Sequence, residues 1–197
     1  MVKWGVISTG TISKAFCDSI RYSQAGKLAA VASRSSKNLK HFSDKYGVVT
    51  YDSYDALLKD SSIDAIYIGT PHNSHFDLSL KTLRSGKHLL CEKPMTMNST
   101  EAMILLNESR RLNLFFMDAF MYRCHPLTHK MLDIVKQEFS NQEILLESSF
   151  GFTADVDEKH RLKNPELGGG SIMDIGCYPM SMVRLIAGNL LGNSFSD

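Results

Sequence analysis

Leu89-Leu90-Cys91-Glu92-Lys93-Pro94-Met95 is the stretch that decides the fold of this chain. An apolar strand, Lys87 to Cys91, runs directly into an acid and a base, and a proline then ends it. Proline has no amide donor for a central ladder, so the chain must leave the sheet at Pro94. In an open α/β sheet, ligands collect outside the carboxyl ends of the strands, which is where Glu92 and Lys93 fall. Taken alone, Glu-Lys-Pro also fits a solvated pair at a strand end. The first strand of the chain, with a Tyr and an Asp far downstream, tips the choice toward a site.

Strands and helices alternate on both sides of this stretch. Trp4-Gly5-Val6-Ile7 reads as a first strand, and Ser8-Thr9-Gly10-Thr11-Ile12-Ser13 turns into a helix ending near Tyr22. Leu28 to Ala32 is a second strand, and a helix from Ser36 to Lys45 is closed by Gly47. A short helix fits Tyr54 to Leu58. The continuous apolar run Ala65-Ile66-Tyr67-Ile68 belongs in a parallel sheet covered on both faces. A helix from Asn73 to Leu83 leads to the central strand. A helix from Ser99 to Arg111 and a strand Leu114 to Met117 follow it. This alternation predicts an α/β fold, a doubly wound parallel sheet of Rossmann type over residues 1–120.

Beyond Phe120 the pattern changes. A helix is expected from Pro126 to Phe139, a strand from Glu143 to Phe152, and a polar loop through Pro165. Gly168-Gly169-Gly170 then opens an amphipathic helix, Ser171 to Ala187. One strand is too little for a covered sheet, so residues 121–197 read as the start of an incomplete α+β domain. Such a strand, without neighbours, would present an edge prone to self-association.

Composition narrows the function. With 197 residues, 43% hydrophobic and 22% charged, the chain is an ordinary globular one. A formal net charge of +1 gives no electrostatic case for nucleic acid or an anionic membrane. No apolar run reaches the ~18 residues of a membrane span. Val2 to Ser8 contains Lys3 and reads as a buried strand rather than a signal peptide. Cys17, Cys91, Cys124 and Cys177 lie far apart with no C-x-x-C pair, which argues against disulfides or zinc and fits a cytoplasmic location.

The first turn is a variant of the dinucleotide fingerprint G-x-G-x-x-G/A. Gly10 holds the middle place, Ser8 replaces the first glycine and Ser13 the third. A plain strand-to-helix turn is the alternative, although the helix start also offers free N–H groups to a phosphate. About twenty residues on, the pattern expects an acid for a ribose 2′-hydroxyl or an arginine for a 2′-phosphate. The second strand ends Ser33-Arg34-Ser35-Ser36-Lys37, without an acid. Arg34, Lys37 and the serine hydroxyls suit a 2′-phosphate, so NADP is expected over NAD. The alternative is a solvated basic turn.

Thr70-Pro71-His72-Asn73-Ser74-His75 follows the third long strand at the same sheet edge. His72 and His75 have no carboxylate or cysteine at metal-ligand spacing, so no metal site is expected. His72 reads as a polar loop residue. His75, one turn into the helix, could reach a nicotinamide ribose. His125 and His129 share a helical face and read as surface. Asp174 and Tyr178 lie one helical turn apart on one face. A tyrosine titrates near about 10, and a nearby ammonium favours its phenolate, so Tyr178 beside Lys93 would make an acid–base for a hydroxyl.

Together these motifs resemble, in order and over nearly the whole chain, the glucose–fructose oxidoreductase / inositol dehydrogenase / rhizopine catabolism family (Gfo/Idh/MocA). To those already quoted add Gly86-Lys87-His88, Met121-Tyr122-Arg123 and Asp174-Ile175-Gly176-Cys177-Tyr178-Pro179. The Gly-Cys-Tyr-Pro ending is most similar to dimeric dihydrodiol dehydrogenases and NADP-dependent D-xylose dehydrogenases; many other members carry histidine at the Tyr178 position. The resemblance implies an NADP-dependent oxidoreductase moving hydride between nicotinamide and a CH–OH group of a sugar or trans-dihydrodiol. It implies that Lys93 holds the reacting hydroxyl, Tyr178 exchanges its proton and Asp174 orients the substrate. Ser8, Thr9, Gly10, Thr11, Ile12, Ser33, Arg34, Lys37, Thr70, Pro71, Asn73, His75, Glu92 and Lys93 would bind cofactor, with Arg123 at the substrate entrance beside it. Members are longer, with a large C-terminal sheet used for homo-oligomer formation, so this chain reads as C-terminally truncated. An NADP-binding protein without turnover is therefore the second expectation.

Overall fold

The structure, a computed structural model, describes residues 1–140 and 142–192. By its contacts the chain divides into two units, Met1–Ala119 and Phe120–Asp197. In the first, six parallel strands form one sheet in the order β3-β2-β1-β4-β5-β6. They are β1 (Val2–Ile7), β2 (Gly26–Ala32), β3 (Val49–Tyr51), β4 (Ala65–Ile68), β5 (His88–Cys91) and β6 (Phe116–Asp118). Order reverses between β1 and β4, the place where doubly wound sheets open a crevice for ligand.

Alternation along the strands feeds two cores. Ile7, Ile66, Ile68, Leu89 and Cys91 face one side and pack with Leu57, Leu78, Leu83 and Leu105. Those four come from α3 (Tyr54–Lys59), α4 (His75–Arg84) and α5 (Ser99–Leu112). Val6, Val31 and Tyr67 face the other side against Cys17, Leu39 and Phe42, from α1 (Thr11–Ile20) and α2 (Ser36–Tyr46). Local chemistry sets the helix ends. Ser35, Ser53 and Asn98 cap α2, α3 and α5 through side-chain oxygens, and Gly47 closes α2 in the left-handed region. β3, absent from the sequence reading, has only three residues, Val-Thr-Tyr, too few for a period.

Gly69, just past β4, is a point where α1 packs tightly against the sheet edge. A Cβ there would collide with Ser13 Oγ and lie 3.1 Å from Tyr67 Cε1 and 3.2 Å from Ile12 Cγ2. The fingerprint's third position, filled here by Ser13, has its space from a glycine on the opposite strand. Gly69→Ala is expected to destabilise the chain by about 1–3 kcal/mol through overpacking. A lower urea midpoint with an unchanged slope would register it; an unchanged midpoint would mean that α1 shifts freely.

The second unit contains α6 (Pro126–Phe139) and α7 (Cys177–Leu191), joined by long loops. Two expectations change here. Residues 142–152 carry no strand, and Leu145, Phe150 and Phe152 are exposed. A strand exists through its partner, and among the described residues of this unit no neighbour supplies a ladder. The last helix is also not uniform: Ile172–Gly176 is a π-turn ahead of α7, an irregularity frequent at functional sites. The Cys177 thiol takes up carbonyls of this wide turn, with Sγ 3.5 Å from Met173 O. Among the described residues no helix is long and apolar enough to cross a membrane.

Candidate active site

Register aligns Ile7, Ile68, Cys91 and Asp118 in one row across β1, β4, β5 and β6. The next backbone amides continue the ladder: Gly69 N donates to Ile7 O at 3.2 Å and Glu92 N to Ile68 O at 3.0 Å. Ser8, Gly69 and Glu92 therefore leave the sheet in one row at its carboxyl edge, with Thr70 and Lys93 following them.

In the first turn, Ser8 takes φ +102, a conformation that favours glycine. The chain thus makes the tight turn of the fingerprint's first glycine with a strained serine, whose Oγ accepts from Gly10 N at 3.1 Å. A Cβ on Gly10 would meet protein no closer than 3.4 Å, at Ser8 Oγ. Packing therefore does not require glycine here; its bare backbone leaves the helix entrance open to close approach from solvent. Unlike α2, α3 and α5, α1 begins with no side-chain cap, and Thr11 and Ile12 are exposed in its first turn. Free N–H groups at a helix start suit an anion. These residues fit the pyrophosphate of a dinucleotide.

Ser33 is buried at the end of β2, with its Oγ 3.0 Å from Thr9 Oγ1 and accepting from Ser35 N at 3.2 Å. Asn38 Nδ2 donates to Thr9 Oγ1 at 3.2 Å. The loops after β1 and β2 are tied together, and Arg34 and Lys37 are left exposed at their rim. A guanidinium and an ammonium at that rim fit a 2′-phosphate.

Glu92 and Lys93 are half-buried, and the Lys93–Pro94 peptide is cis. The Glu92 carboxylate is held on both oxygens. Tyr67 Oη donates to Oε1 at 2.7 Å and Lys93 N to Oε2 at 3.3 Å. Tyr67 is 2% exposed and its ring stacks on Phe16, centroids 4.1 Å apart. Burial and the neighbouring carboxylate push its phenol far up, so it stays a donor. Tyr67 was missed in the sequence, although a hydroxyl inside an otherwise aliphatic strand signals a partner.

The expectation for His75 is corrected. The ring is fully buried, with Nδ1 2.8 Å from Pro94 O and Nε2 2.8 Å from Thr70 O. Both nitrogens face backbone carbonyls rather than the sheet-edge opening, and the single N–H of a neutral ring donates to one of them. Pro71 and Asn73 are exposed beside it and His72 is buried. Burial pushes the His75 pKa down, against the pull of the two carbonyls. With the folded value depressed, the unfolded chain binds the extra proton, so stability falls as pH drops below an ordinary histidine value of about 6.5. Wild type should lose more unfolding free energy than His75→Gln between pH 7.5 and 5. Equal losses in urea titrations would contradict this. The Cys17 and Cys91 thiols, each pushed up to about 12 by burial, are not nucleophiles.

In the second unit Asp174 is buried and accepts from Arg161 Nη1 at 3.2 Å. Arg161, a second missed residue, reaches Asp174 because the loop doubles back tightly. A Cβ on Gly169 would stand 2.6 Å from Asn164 O, and Gly170 N donates to Leu162 O at 2.9 Å. The Tyr178 ring meets Phe120, Tyr122 and Phe150 at centroid distances of 5.3, 6.1 and 5.4 Å. Arg123 Nε is buried with no acceptor among the described residues. His125 caps α6, its Nδ1 accepting from Leu127 N at 3.1 Å.

The model of the GFO_IDH_MocA oxidoreductase family, with its NAD-binding Rossmann fold, matches residues 2–120. The trans-1,2-dihydrobenzene-1,2-diol dehydrogenase of Xenopus tropicalis is 34% identical over 187 residues, 93% of this chain and 56% of that protein. The D-xylose 1-dehydrogenase (NADP(+)) 2 of Haloferax volcanii is 35% identical over 94% of this chain and 57% of its own length. Among solved structures, a 3-ketoreductase from Actinomadura kijaniata in complex with NADP and TDP-benzene superimposes with a TM-score of 0.81 at 27% identity. That likeness covers 94% of this chain and 57% of the reductase. The chain spans about half the length of the curated relatives it matches. Because the match runs over more than half of its residues and along the whole Rossmann sheet, the chain belongs to the Gfo/Idh/MocA oxidoreductase family.

Proposed function

We propose that the chain acts as an NADP-dependent oxidoreductase on a CH–OH group, in a sugar or a trans-dihydrodiol. The observation that carries this reading is the Glu92-Lys93-Pro94 turn, set at the end of β5 on the same sheet edge as the β1 turn, with β4 between them. Relatives named for dihydrodiol and NADP-dependent xylose oxidation support the substrate class. Arg34 and the absence of an acid in Ser33–Lys37 support NADP.

A bound nicotinamide supplies the hydride acceptor at its ring carbon. The chain does the rest. In this reading the Lys93 ammonium would bind the substrate hydroxyl, Tyr178 would take its proton, and Asp174, which accepts from Arg161, would orient the substrate. Glu92, Thr70, Pro71 and Asn73 would serve the nicotinamide side, and Arg123 the substrate entrance.

The test is an NADPH fluorescence titration, followed by turnover with aldoses and with trans-dihydrodiols. Tight NADPH binding with NADP-dependent oxidation of one class supports the reading. Binding without turnover of either would leave only the dinucleotide half of it.

A further inference from the structure

Lys93 stands between two residues that are each tied down by the preceding strand–helix pair. On one side the Glu92 carboxylate is held by Tyr67 Oη at 2.7 Å, from β4. On the other, Pro94 has no amide to give, so its carbonyl is its only backbone handle, and His75 Nδ1 at the start of α4 meets it at 2.8 Å. His75 Nε2 lies 2.8 Å from Thr70 O, and because a neutral ring carries one N–H, the tautomer protonated on Nδ1 is the one that holds Pro94 O. Both anchoring side chains are almost wholly withdrawn from water, Tyr67 at 2% and His75 at 0% exposure. Packing alone does not call for either polar group. A phenylalanine would fill the Tyr67 place and stack equally on Phe16, yet the strand spends a hydroxyl there and aims it at a carboxylate.

We propose that Tyr67 and His75 are positioning residues for Lys93, fixing the Glu92-Lys93-Pro94 turn from both sides through hydrogen bonds to Glu92 and Pro94. The inference rests on the reading of Lys93 as the lysine of the reaction. A lysine side chain has four rotatable bonds, so where its ammonium can dwell depends on how firmly its own backbone is held. Misplacing a reacting group by ~1 Å costs on the order of 10²-fold in rate. Glu92 and Lys93 are the charged groups facing His75, and the His72 ring lies 5.8 Å away.

Trace acetylation of the 197-residue chain with acetic anhydride, read by mass spectrometry, reports the Lys93 amine independently of turnover. The exposed Lys40 and Lys59 serve as internal references. In Tyr67→Phe the Lys93 labelling rate should change by about threefold or more relative to those references. Affinity for 2′,5′-ADP, which reports only the adenosine half, should stay unchanged. With substrate, Tyr67→Phe should lower kcat by roughly tenfold with little change in KM. His75→Asn keeps an amide near the Nδ1 position, and His75→Gln keeps one near Nε2, so Asn should lie closer to wild type in both Lys93 labelling and kcat. Tyr67→Phe alone decides if a His75 variant fails to fold. Wild-type Lys93 labelling in folded Tyr67→Phe would overturn the proposal. Full turnover by Lys93→Met would instead overturn the role of Lys93, and the labelling result would still say whether its turn is held by Tyr67.

Discussion

Lys93→Met is expected to reduce kcat by about 10²–10³-fold, the range for removing a charged donor that stabilises the developing alkoxide. NADPH affinity should change little, because in the proposed reading the β1 and β2 turns, not Lys93, take the pyrophosphate and adenosine ends. Methionine keeps the length and apolar stem and deletes only the charge. Tyr178→Phe should behave similarly and also remove a basic limb from the pH–rate profile. Stopped-flow turnover alongside fluorescence titration separates the two effects. A Lys93→Met variant that binds NADPH tenfold more weakly at full kcat would make Lys93 a cofactor ligand rather than a participant in the chemistry.

Arg34→Ala carries the second large effect. Losing a charge-assisted contact to a 2′-phosphate costs about 1–3 kcal/mol, roughly 5- to 150-fold in NADP affinity. NAD, which lacks that phosphate, should bind nearly as before. The buried Ser33, tied to Thr9 and to Ser35 N, keeps the loop in shape without Arg34, so the loss is specific to the phosphate. Salt should weaken the wild-type preference, since Arg34 is exposed and screened. Isothermal titration with both dinucleotides checks this, and an equal loss for NADP and NAD would remove Arg34 from the 2′-phosphate site.

Much of the first unit was legible because parallel strands buried on both faces are apolar runs, and Ala65–Ile68 and His88–Cys91 are unmistakable ones. β3 was not, having three residues and no period. The places of Ser8 and Gly10 in the fingerprint could be read from spacing. That Ser8 would adopt a positive φ, and that Ser13 would be accommodated by Gly69, depends on how α1 meets β4. His75 shows the limit most plainly. Its position one turn into a helix suggested reach toward a ligand, while the two carbonyls it faces, Thr70 O and Pro94 O, come from separate loops. The same holds for Tyr67 with Glu92 and Arg161 with Asp174, pairs made by folding rather than by proximity in sequence. The Glu143–Phe152 stretch has strand composition, but a strand is completed by its neighbour, and composition carries no news of one.

Hydride transfer between a CH–OH carbon and the nicotinamide of NADP on this chain can be followed with a trans-dihydrodiol or aldose deuterated at the reacting carbon, incubated with the chain and NADP. The NADPH formed is then analysed by mass spectrometry and NMR. Deuterium is expected at one face of the nicotinamide C4, and none with Lys93→Met. Bound NADP with no deuterium at C4, for either substrate class, would contradict it.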